Sequence, residues 1–487
     1  MTAPLAKPLR CAAAALVPLL LAACAVGPDY HRPALPAAAG YGVDTTAPAP
    51  GPGLVSGQDV DAQWWRALGS PALDDLVDQA LKANPTLDAA KSALRAAHEA
   101  TQAQRGAYFP QVAISTQPTR AQFAPTLASP TEAGNDLYTL TTTQLTVDYT
   151  PDIFGANRRA VESLAAQEDA QRFELEAARL TLVDTVVAAA VQDALLRGQI
   201  AATREILADQ QKTLDSYRRQ LALGQASQAD MAAQEALLAQ TEASLPPLEK
   251  AFAINRDQLA ALLGRTPAEP AQQAFDLDQI TLPASLPLSL PARLVDQRPD
   301  VRMAEAQLHS ASAEIGVAVA ARLPNVDLTA AVGSATLGLG ATFGSQTNFW
   351  SLIGTATQPI FQGGTLLHRQ RQAEAAYDQA AAQYRATVVG AFQNVADSLH
   401  ALQTDAATAK ADDEAAQAAD KSLQIARHQL ELGDVSQLAM LNTEQAYDQA
   451  RLTALQARAN LDTDVAALFQ ALGGGWWNVA PDSAPRS

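Results

Sequence analysis

The sequence predicts a mostly α-helical chain with a small β part, folded as two tandem copies of one unit: a helix, a strand pair, a long helix and a return helix. Three observations predict it. The composition is 48% hydrophobic but only 5% aromatic, and its Ala-rich, Leu-spaced stretches with Gln, Glu and Arg between them favour long helices. The pattern Arg218-x-Gln220-Leu221-x-Leu223-Gly224-x-x-Ser227-Gln228-x-x-Met231 recurs as Arg427-x-Gln429-Leu430-x-Leu432-Gly433-x-x-Ser436-Gln437-x-x-Met440, the mark of an internal repeat. Short Thr-, Val- and Tyr-rich segments of period two interrupt the helical pattern in each half. At 487 residues the chain exceeds one ordinary compact core.

The chain opens with Lys7 and Arg10 before an apolar stretch from Cys11 to Ala23, too short to span a bilayer as a helix. It ends Leu21-Ala22-Ala23-Cys24, which looks like a bacterial lipobox, so residues 1–23 read as a signal peptide and Cys24 as the lipid-attachment residue of the mature chain. Ala25 follows rather than Asp, making outer-membrane delivery the expectation. Removing the signal takes away two basic groups and no acidic ones, so the mature chain is more acidic than the −17 of the full sequence. Cys11 leaves with the signal and Cys24 is consumed by lipid, which leaves no disulfide. Residues 24–69, rich in Pro, Gly and Ala, read as an extended tether.

Repeat one covers 70–265. A helix starts at Asn84-Pro85 and runs to 107, with Leu87, Ala90, Leu94 and Ala97 on one face. Strands at 110–122 and 137–150 flank a loop containing Pro125, Pro130, Gly134 and Asn135. A long helix follows over 156–222, roughly 100 Å at 1.5 Å per residue. Gly224 stops it as a C-terminal cap and Ser227 caps the return helix, 227–263. Inside that return helix Pro246-Pro247 predicts a kink or a restart, because an interior proline removes a backbone hydrogen bond.

A Pro-rich linker, 266–297, is expected to connect the copies outside the bundle and to do no more than reach. Repeat two covers 298–473. Arg298-Pro299 opens a helix over 299–321, strands follow at 325–341 and 347–361, then a long helix at 364–431 and a return helix at 436–471. Both copies end on Leu-Gly, Leu263-Gly264 and Leu472-Gly473, and 474–487 is a tail. In each copy the two shorter helices together nearly match the long one. They can therefore stack end to end beside it, giving a rod with strands at one extremity and the Gly-Ser turns near the other.

In the strands Val112 and Ile114 alternate with Ala113 and Ser115, and Val326, Leu328 and Val332 with Asp327, Thr329 and Gly333. Trp350 and Leu352 carry the apolar side around 347–357. Each strand is long enough to cross a bilayer at a tilt, which takes about 9–11 residues. No later helical segment has the roughly 20 apolar residues a spanning helix needs. Four strands cannot close a barrel and open edges cannot sit in lipid, so the chain must share a barrel with other chains.

Several functions are excluded. The acidic balance opposes a nucleic-acid partner, which calls for a basic stripe. His31, His98, His309, His368, His400 and His428 are scattered rather than set at metal-ligand spacing. No phosphate loop, nucleophile elbow or zinc signature appears, and Met1, Met231, Met303 and Met440 form no soft-metal relay. The expectation is a protein that is not an enzyme and carries no metal and no cofactor beyond the lipid on Cys24.

The segments Cys24-Ala25-Val26-Gly27-Pro28-Asp29-Tyr30, Trp64-Trp65, Arg298-Pro299-Asp300-Val301-Arg302, Gln358-Pro359-Ile360-Phe361-Gln362-Gly363-Gly364 and Ala471-Leu472-Gly473-Gly474-Gly475-Trp476 resemble, in order, those of the outer-membrane factors of tripartite efflux pumps, in particular the NodT-type lipoprotein branch. The resemblance implies a homotrimer whose chains each give four transmembrane β-strands to a 12-stranded barrel, above a long antiparallel α-helical coiled-coil barrel in the periplasm. It implies a periplasmic adaptor and an inner-membrane transporter as partners, the latter supplying the energy. It also implies that the tips Leu223, Gly224, Ser227, Leu432, Gly433 and Ser436 meet the adaptor, although Gly and Ser also cap helices wherever they stand. Family channels carry acidic rings near a periplasmic gate, and Asp420, with Asp412 and Asp413, is the candidate here; Asp405 and Glu414 lie in the same helix. Crowded carboxylates there would attract cations.

The function expected is therefore a passive exit duct for small molecules. Protein secretion of type I and metal-ion efflux remain as other cargoes. A coiled-coil structural lipoprotein with no pore is opposed by the alternating strands, and an adaptor lipoprotein with a single hairpin by the duplication. If one hairpin moves on opening, the second is expected to, because it carries the acidic run and lacks the proline pair.

Overall fold

The computed structural model of the protein describes residues 25–34, 40–43, 50–122, 137–271, 273–337 and 347–478. Cys24 and the signal segment lie outside the described residues, as do the loop with Pro125, Pro130, Gly134 and Asn135, residues 338–341 of the expected third strand, and the end of the tail.

The elements in order are β1 (Gly53–Ser56), α1 (Pro71–Ala83), α2 (Pro85–Arg105), β2 (Gln111–Gln122), β3 (Leu137–Tyr149), α3 (Ala156–Ala222), α4 (Gln228–Leu262), β4 (Ser285–Leu288), α5 (Pro291–Gln297), α6 (Pro299–Ala320), β5 (Asn325–Thr336), β6 (Asn348–Thr357), α7 (Thr365–Leu432) and α8 (Gln437–Ala471). The chain is mostly α with four long strands, and the order α2-β2-β3-α3-α4 is repeated as α6-β5-β6-α7-α8. It divides into two units. One comprises Met1–Pro33, Ala93–Gln171 and Ala304–Tyr384 and holds the four strands; the other comprises Ala34–Ser92, Arg172–Met303 and Arg385–Ser487 and holds both helical hairpins.

In the strand-bearing unit the sheet order is β2-β3-β5-β6, antiparallel throughout. Ile114 pairs with Leu145, Leu145 with Val332 and Val332 with Trp350; two residues along, Val112, Val147, Ala330 and Leu352 form the next row. Directly opposed residues share a face, so these rows make one face apolar. The alternate rows, Ser115–Gln144–Gly333–Phe349 and Ala113–Thr146–Ala331–Ser351, make the other face small and polar across β2, β3 and β5, with Phe349 and Ile353 its large apolar members on β6. The apolar face is uncovered: Ile114, Trp350 and Leu352 are each more than 70% exposed. The sheet is open, with β2 and β6 as its edges. β6 ends at Thr357, short of the expected 361. Pro359 has no N–H for a ladder, and the Gln358 amide turns to donate to Arg322 O at 3.0 Å.

In the hairpin unit the return helices meet the short helices end to end, at a joint built twice. Asn84 is extended, as a residue before proline must be, and its side chain donates to Leu262 O at 2.9 Å while accepting from Thr86 N at 2.9 Å. In repeat two Arg298 stands in its place and Nη1 donates to Ala471 O at 3.0 Å, with Nη2 on Asp300 at 2.7 Å. The end of each return helix is closed alike, Arg265 N on Ala260 O at 2.9 Å and Gly474 N on Phe469 O at 3.0 Å. Gly264 and Gly473 sit at positive φ against the carbonyls of Ala83 and Gln297, where a Cβ would collide. That is why both copies end on Leu-Gly.

Two expectations are corrected in this unit. Segments 24–69 and 266–297 do more than reach. β1 pairs in parallel with β4, Gly53 with Ser285 through Ser56 with Leu288, and Trp64, Phe275, Ile280 and Leu286 from these segments are buried. Trp64 stacks on Phe469 with centroids 5.0 Å apart, and the tail joins in through Trp476 Nε1 on Gln297 O at 2.7 Å. The second correction concerns the restart that was the alternative to a kink at Pro246-Pro247. α4 does not restart there but runs through both prolines. Both are exposed, as are Glu242 and Ala243 one turn earlier, so the carbonyls that lose their amide partners face water, which offsets part of the loss.

Candidate functional site

The residues after Cys24 form a strap on the strand-bearing unit. Val26 N donates to Phe154 O at 3.1 Å. Arg159, buried at the start of α3, holds the strap with Nε on Val26 O at 3.2 Å and Nη2 on Asp29 at 2.7 Å, while Nη1 reaches Glu162 at 2.7 Å. Glu162 also meets His309 Nε2 at 2.9 Å, and Tyr30 stacks on the His309 ring at 4.3 Å. Burial pushes the Glu162 carboxyl up, but the hydrogen bonds from His309 and Arg159 outweigh it and hold it below its ordinary value. The Arg159 hydrogen bond and charge do the same for Asp29.

The two tips share one backbone design. α3 ends at Ala222, Gly224 takes φ +71°, and Gln225 N donates back to Gln220 O at 2.8 Å; α7 ends at Leu432, Gly433 takes φ +80°, and Asp434 N donates to Gln429 O at 2.9 Å. A left-handed residue here costs glycine nothing. Ser227 accepts from Asp230 N at 3.1 Å and Asp230 accepts from Ser227 N at 3.2 Å, a capping box. Ser436 accepts from Ala439 N at 3.2 Å without the reciprocal bond. Capping therefore accounts for Gly224, Gly433, Ser227 and Ser436. It does not account for Leu223 and Leu432, which stand 73% and 64% exposed.

Asp412, Asp413 and Asp420 lie on α7. Asp413 accepts from Gln417 and Asp420 from Gln424, each at 2.8 Å and one helical turn along. Asp413 is exposed and the other two are half-buried. Among the described residues no hydrogen bond or ion pair ties these three carboxylates to another helix.

A different cluster joins three helices. From α3 come Glu205 and Asp209, from α7 Arg427, and from α8 Glu444, Asp448 and Arg451. Arg451 meets Glu205 at 2.7 Å; Arg427 lies 3.5 Å from Glu444 and 3.8 Å from Asp209. Burial pushes Asp448 up to about 7, helped by Glu444 and Asp209 and opposed by Arg451 and Arg427. Burial raises Glu444 too, outweighing the nearby Arg427 guanidinium. Further along α8, burial lifts Asp462 to about 7, and burial with the Asp405 carboxyl lifts Asp464 to about 6. One signal was present in the sequence: Glu444, Asp448 and Arg451 fall on one face of a helix at spacings of four and three. Their partners on α3 and α7 carry no matching pattern. Among the described residues no group of three His, Cys, Asp or Glu is placed to hold a metal ion, and no helix is long and apolar enough to cross a membrane.

The sequence model of the outer membrane efflux protein family matches residues 76–265 and 290–474. The chain is similar to the outer membrane protein OprJ of Pseudomonas aeruginosa, 29% identical over 96% of this chain and 97% of that one. It is also similar to the toluene efflux pump outer membrane protein TtgC of Pseudomonas putida, 28% identical over 95% of each, and to nodulation protein T of Rhizobium leguminosarum, 26% identical over 95% of this chain and 97% of that one. Among solved structures it resembles the outer-membrane channel OprN, with a TM-score of 0.84, 26% identity and 93% and 100% of the two chains covered. It also resembles the open state of the MtrE outer membrane channel of Neisseria gonorrhoeae, with a TM-score of 0.82, 26% identity and 93% and 99% covered. Two long matched blocks and similarity along nearly the whole chain lead to one conclusion: this chain belongs to the outer membrane efflux protein family.

Proposed function

We propose that this protein is the outer-membrane exit duct of a tripartite efflux pump, a homotrimer that passively conducts small molecules delivered by an inner-membrane transporter through a periplasmic adaptor. The observation that carries the reading is the four-stranded sheet. Its face with Ile114, Leu145, Val332 and Trp350 is apolar and uncovered, its other face is mostly small and polar, with Phe349 and Ile353 on β6 the exceptions, and both edges are open. Such a sheet is stable in lipid only when other copies complete a barrel around water. Three copies supply twelve strands, and helices of 67 and 68 residues, about 100 Å at 1.5 Å per residue, continue the passage into the periplasm. Relatives named for toluene and pyoverdine export favour small organic molecules over proteins or metal ions as cargo.

In this reading Cys24 carries the lipid, the exposed Leu223 and Leu432 beside Gly224, Ser227, Gly433 and Ser436 meet the adaptor, and Asp420, with Asp412 and Asp413, lines the duct. The test is reconstitution of the full-length acylated protein in planar bilayers, together with a deletion strain screened against drugs, solvents and metals. Trimers that conduct ions and a deletion that sensitises cells to organic compounds are expected. A protein that forms no conducting trimer would sink the reading; metal sensitivity alone would move the cargo to metal ions. Asp420→Ala should lower cation selectivity, and unchanged selectivity removes Asp420 from the duct wall.

A further inference from the structure

All four long strands of the sheet join their helices at one end. Gln111 pairs with Asp148, Tyr149 with Leu328 and Asn325 with Thr357, so the end of α2, the start of α3, the end of α6 and the start of α7 meet the sheet at the same level. Each of these helix ends carries arginine: Arg105 on α2, Arg158 beside the strap residue Arg159 on α3, Arg322 just past α6, and Arg369 and Arg371 on α7.

These arginines are placed unlike most others in the chain. Arg105, Arg158, Arg369 and Arg371 are exposed and have no ion-pair partner among the described residues, whereas Arg204 and Arg218, also exposed, and the half-buried Arg451 and Arg458 sit on carboxylates. The carboxylates at the sheet end are already engaged. Asp152 accepts from the backbone N–H groups of Asn157 and Arg158 at 3.0 and 2.8 Å, Asp148 accepts from Thr329 Oγ1 at 2.7 Å, and Asp327 accepts from Thr150 Oγ1 at 2.7 Å. Unpaired guanidinium groups thus persist at one level of a chain whose net charge is −17. At the same level three large apolar side chains stand in the open: Phe109 is 69%, Ile360 89% and Phe361 87% exposed.

Bare arginines interleaved with exposed aromatic and aliphatic side chains, at the foot of strands whose own apolar face is uncovered, have the chemistry of a bilayer interface. The apolar groups enter the acyl boundary and the guanidiniums take headgroup phosphates, often bidentately. We propose that this level is a collar that binds anionic phospholipid headgroups of the periplasmic leaflet. The inference rests on the reading of the four strands as membrane-spanning. The collar fixes how deep the sheet sits, with Arg105 and Arg158 gripping the leaflet in repeat one and Arg369 and Arg371 in repeat two. Each arginine near an anionic leaflet contributes about five-fold to surface partition, screened by salt.

The test uses full-length acylated protein, wild type and the Arg105→Gln, Arg158→Gln, Arg369→Gln, Arg371→Gln quadruple variant. Each is exchanged from nanodiscs of phosphatidylethanolamine and phosphatidylglycerol into mild detergent, and retained phospholipid is counted by native mass spectrometry. Wild type should retain phosphatidylglycerol in preference to phosphatidylethanolamine, lose it in about 0.5 M salt, and hold at least several-fold more than the glutamine variant. A quadruple lysine variant should hold an intermediate amount. Equal retention by the glutamine variant overturns the proposal. So does a glutamine variant that falls apart into single chains in lipid-free detergent, because the arginines would then be pairing with a neighbouring copy. Conductance of the same wild-type preparation reads the channel function separately, so a conducting trimer that retains no anionic lipid refutes the collar alone.

Discussion

Val332 stands directly opposite Trp350 in the β5–β6 ladder and directly opposite Leu145 in the β3–β5 ladder. One valine thus joins the two repeats into a continuous apolar band across the sheet. Its face is the one turned to lipid in a barrel, and a charge there is costly. Val332→Arg is expected to destabilise the inserted protein by about 2–4 kcal/mol, whereas Thr146→Lys, on the opposite face, should cost far less. Urea titration of each variant in lipid vesicles reads both; equal costs would contradict the assignment of faces.

Arg298 ties the start of α6 to the end of α8 through Ala471 O, with its side chain only 11% exposed. Arg298→Ala leaves that carbonyl without its donor and should cost roughly 2–3 kcal/mol, seen as a lowered Tm. Arg298→Asn, which copies the Asn84 joint of repeat one, should recover part of the loss.

The raised Asp448 makes stability depend on pH. Its folded value of about 7 lies above the ordinary carboxylate value near 3.9, so between pH 4 and 7 the unfolded chain holds fewer protons than the folded one. Stability from this group is therefore present at low pH and lost as pH rises toward 7. Asp448→Asn cannot ionise, so its Tm relative to wild type should be higher at pH 8 than at pH 5. A constant difference across that range would show that Asp448 is ionised throughout.

Pro246 and Pro247 lie inside an unbroken helix, where each removes a hydrogen bond at a cost of up to about 3 kcal/mol, partly offset by a stiffer unfolded chain. Pro246→Leu with Pro247→Gln, the residues repeat two carries at Leu455 and Gln456, is expected to raise Tm by several degrees. A fall in Tm would mean that the pair bends α4 in a way its packing requires.

At the second tip Gly433 holds φ +80° in open space. Gly433→Asn tolerates that backbone and should leave fold and adaptor binding intact. Gly433→Glu adds roughly 1–2 kcal/mol of backbone strain and a charge beside Leu432, and should weaken capture of the cognate adaptor. Full capture by a correctly assembled Gly433→Glu trimer would remove this tip from the interface.

Much of the fold was legible because it rests on period and length. The alternation of Val112 and Ile114 with Ala113 and Ser115 is a local signal, and the register turned it into two chemically different faces. The Leu-Gly endings and the Asn84-Pro85 and Arg298-Pro299 starts were visible as repeats, and the joint shows why they are paired. Of the kink or restart expected at Pro246 and Pro247, the restart does not occur, because solvent replaces part of the lost backbone hydrogen bonding.

By itself the sequence determined the duplication, the helix lengths, the strand faces and the capped tips, since each is written in neighbouring residues or in a spacing of 3.6 or 2. Only the tertiary structure decided that β1 pairs with β4, that Trp64 stacks on Phe469, that Arg159 clamps the strap, and that Glu205, Asp209, Arg427, Glu444 and Asp448 share one cluster. The physical reason is the same in each case. Four-residue strands and single charged side chains carry no periodic signal, and their partners lie far along the chain. Which of them meet depends on how each helix is rotated against its neighbours, and that is settled by the packing of Leu, Val and Ala between helices rather than by the charged residues themselves.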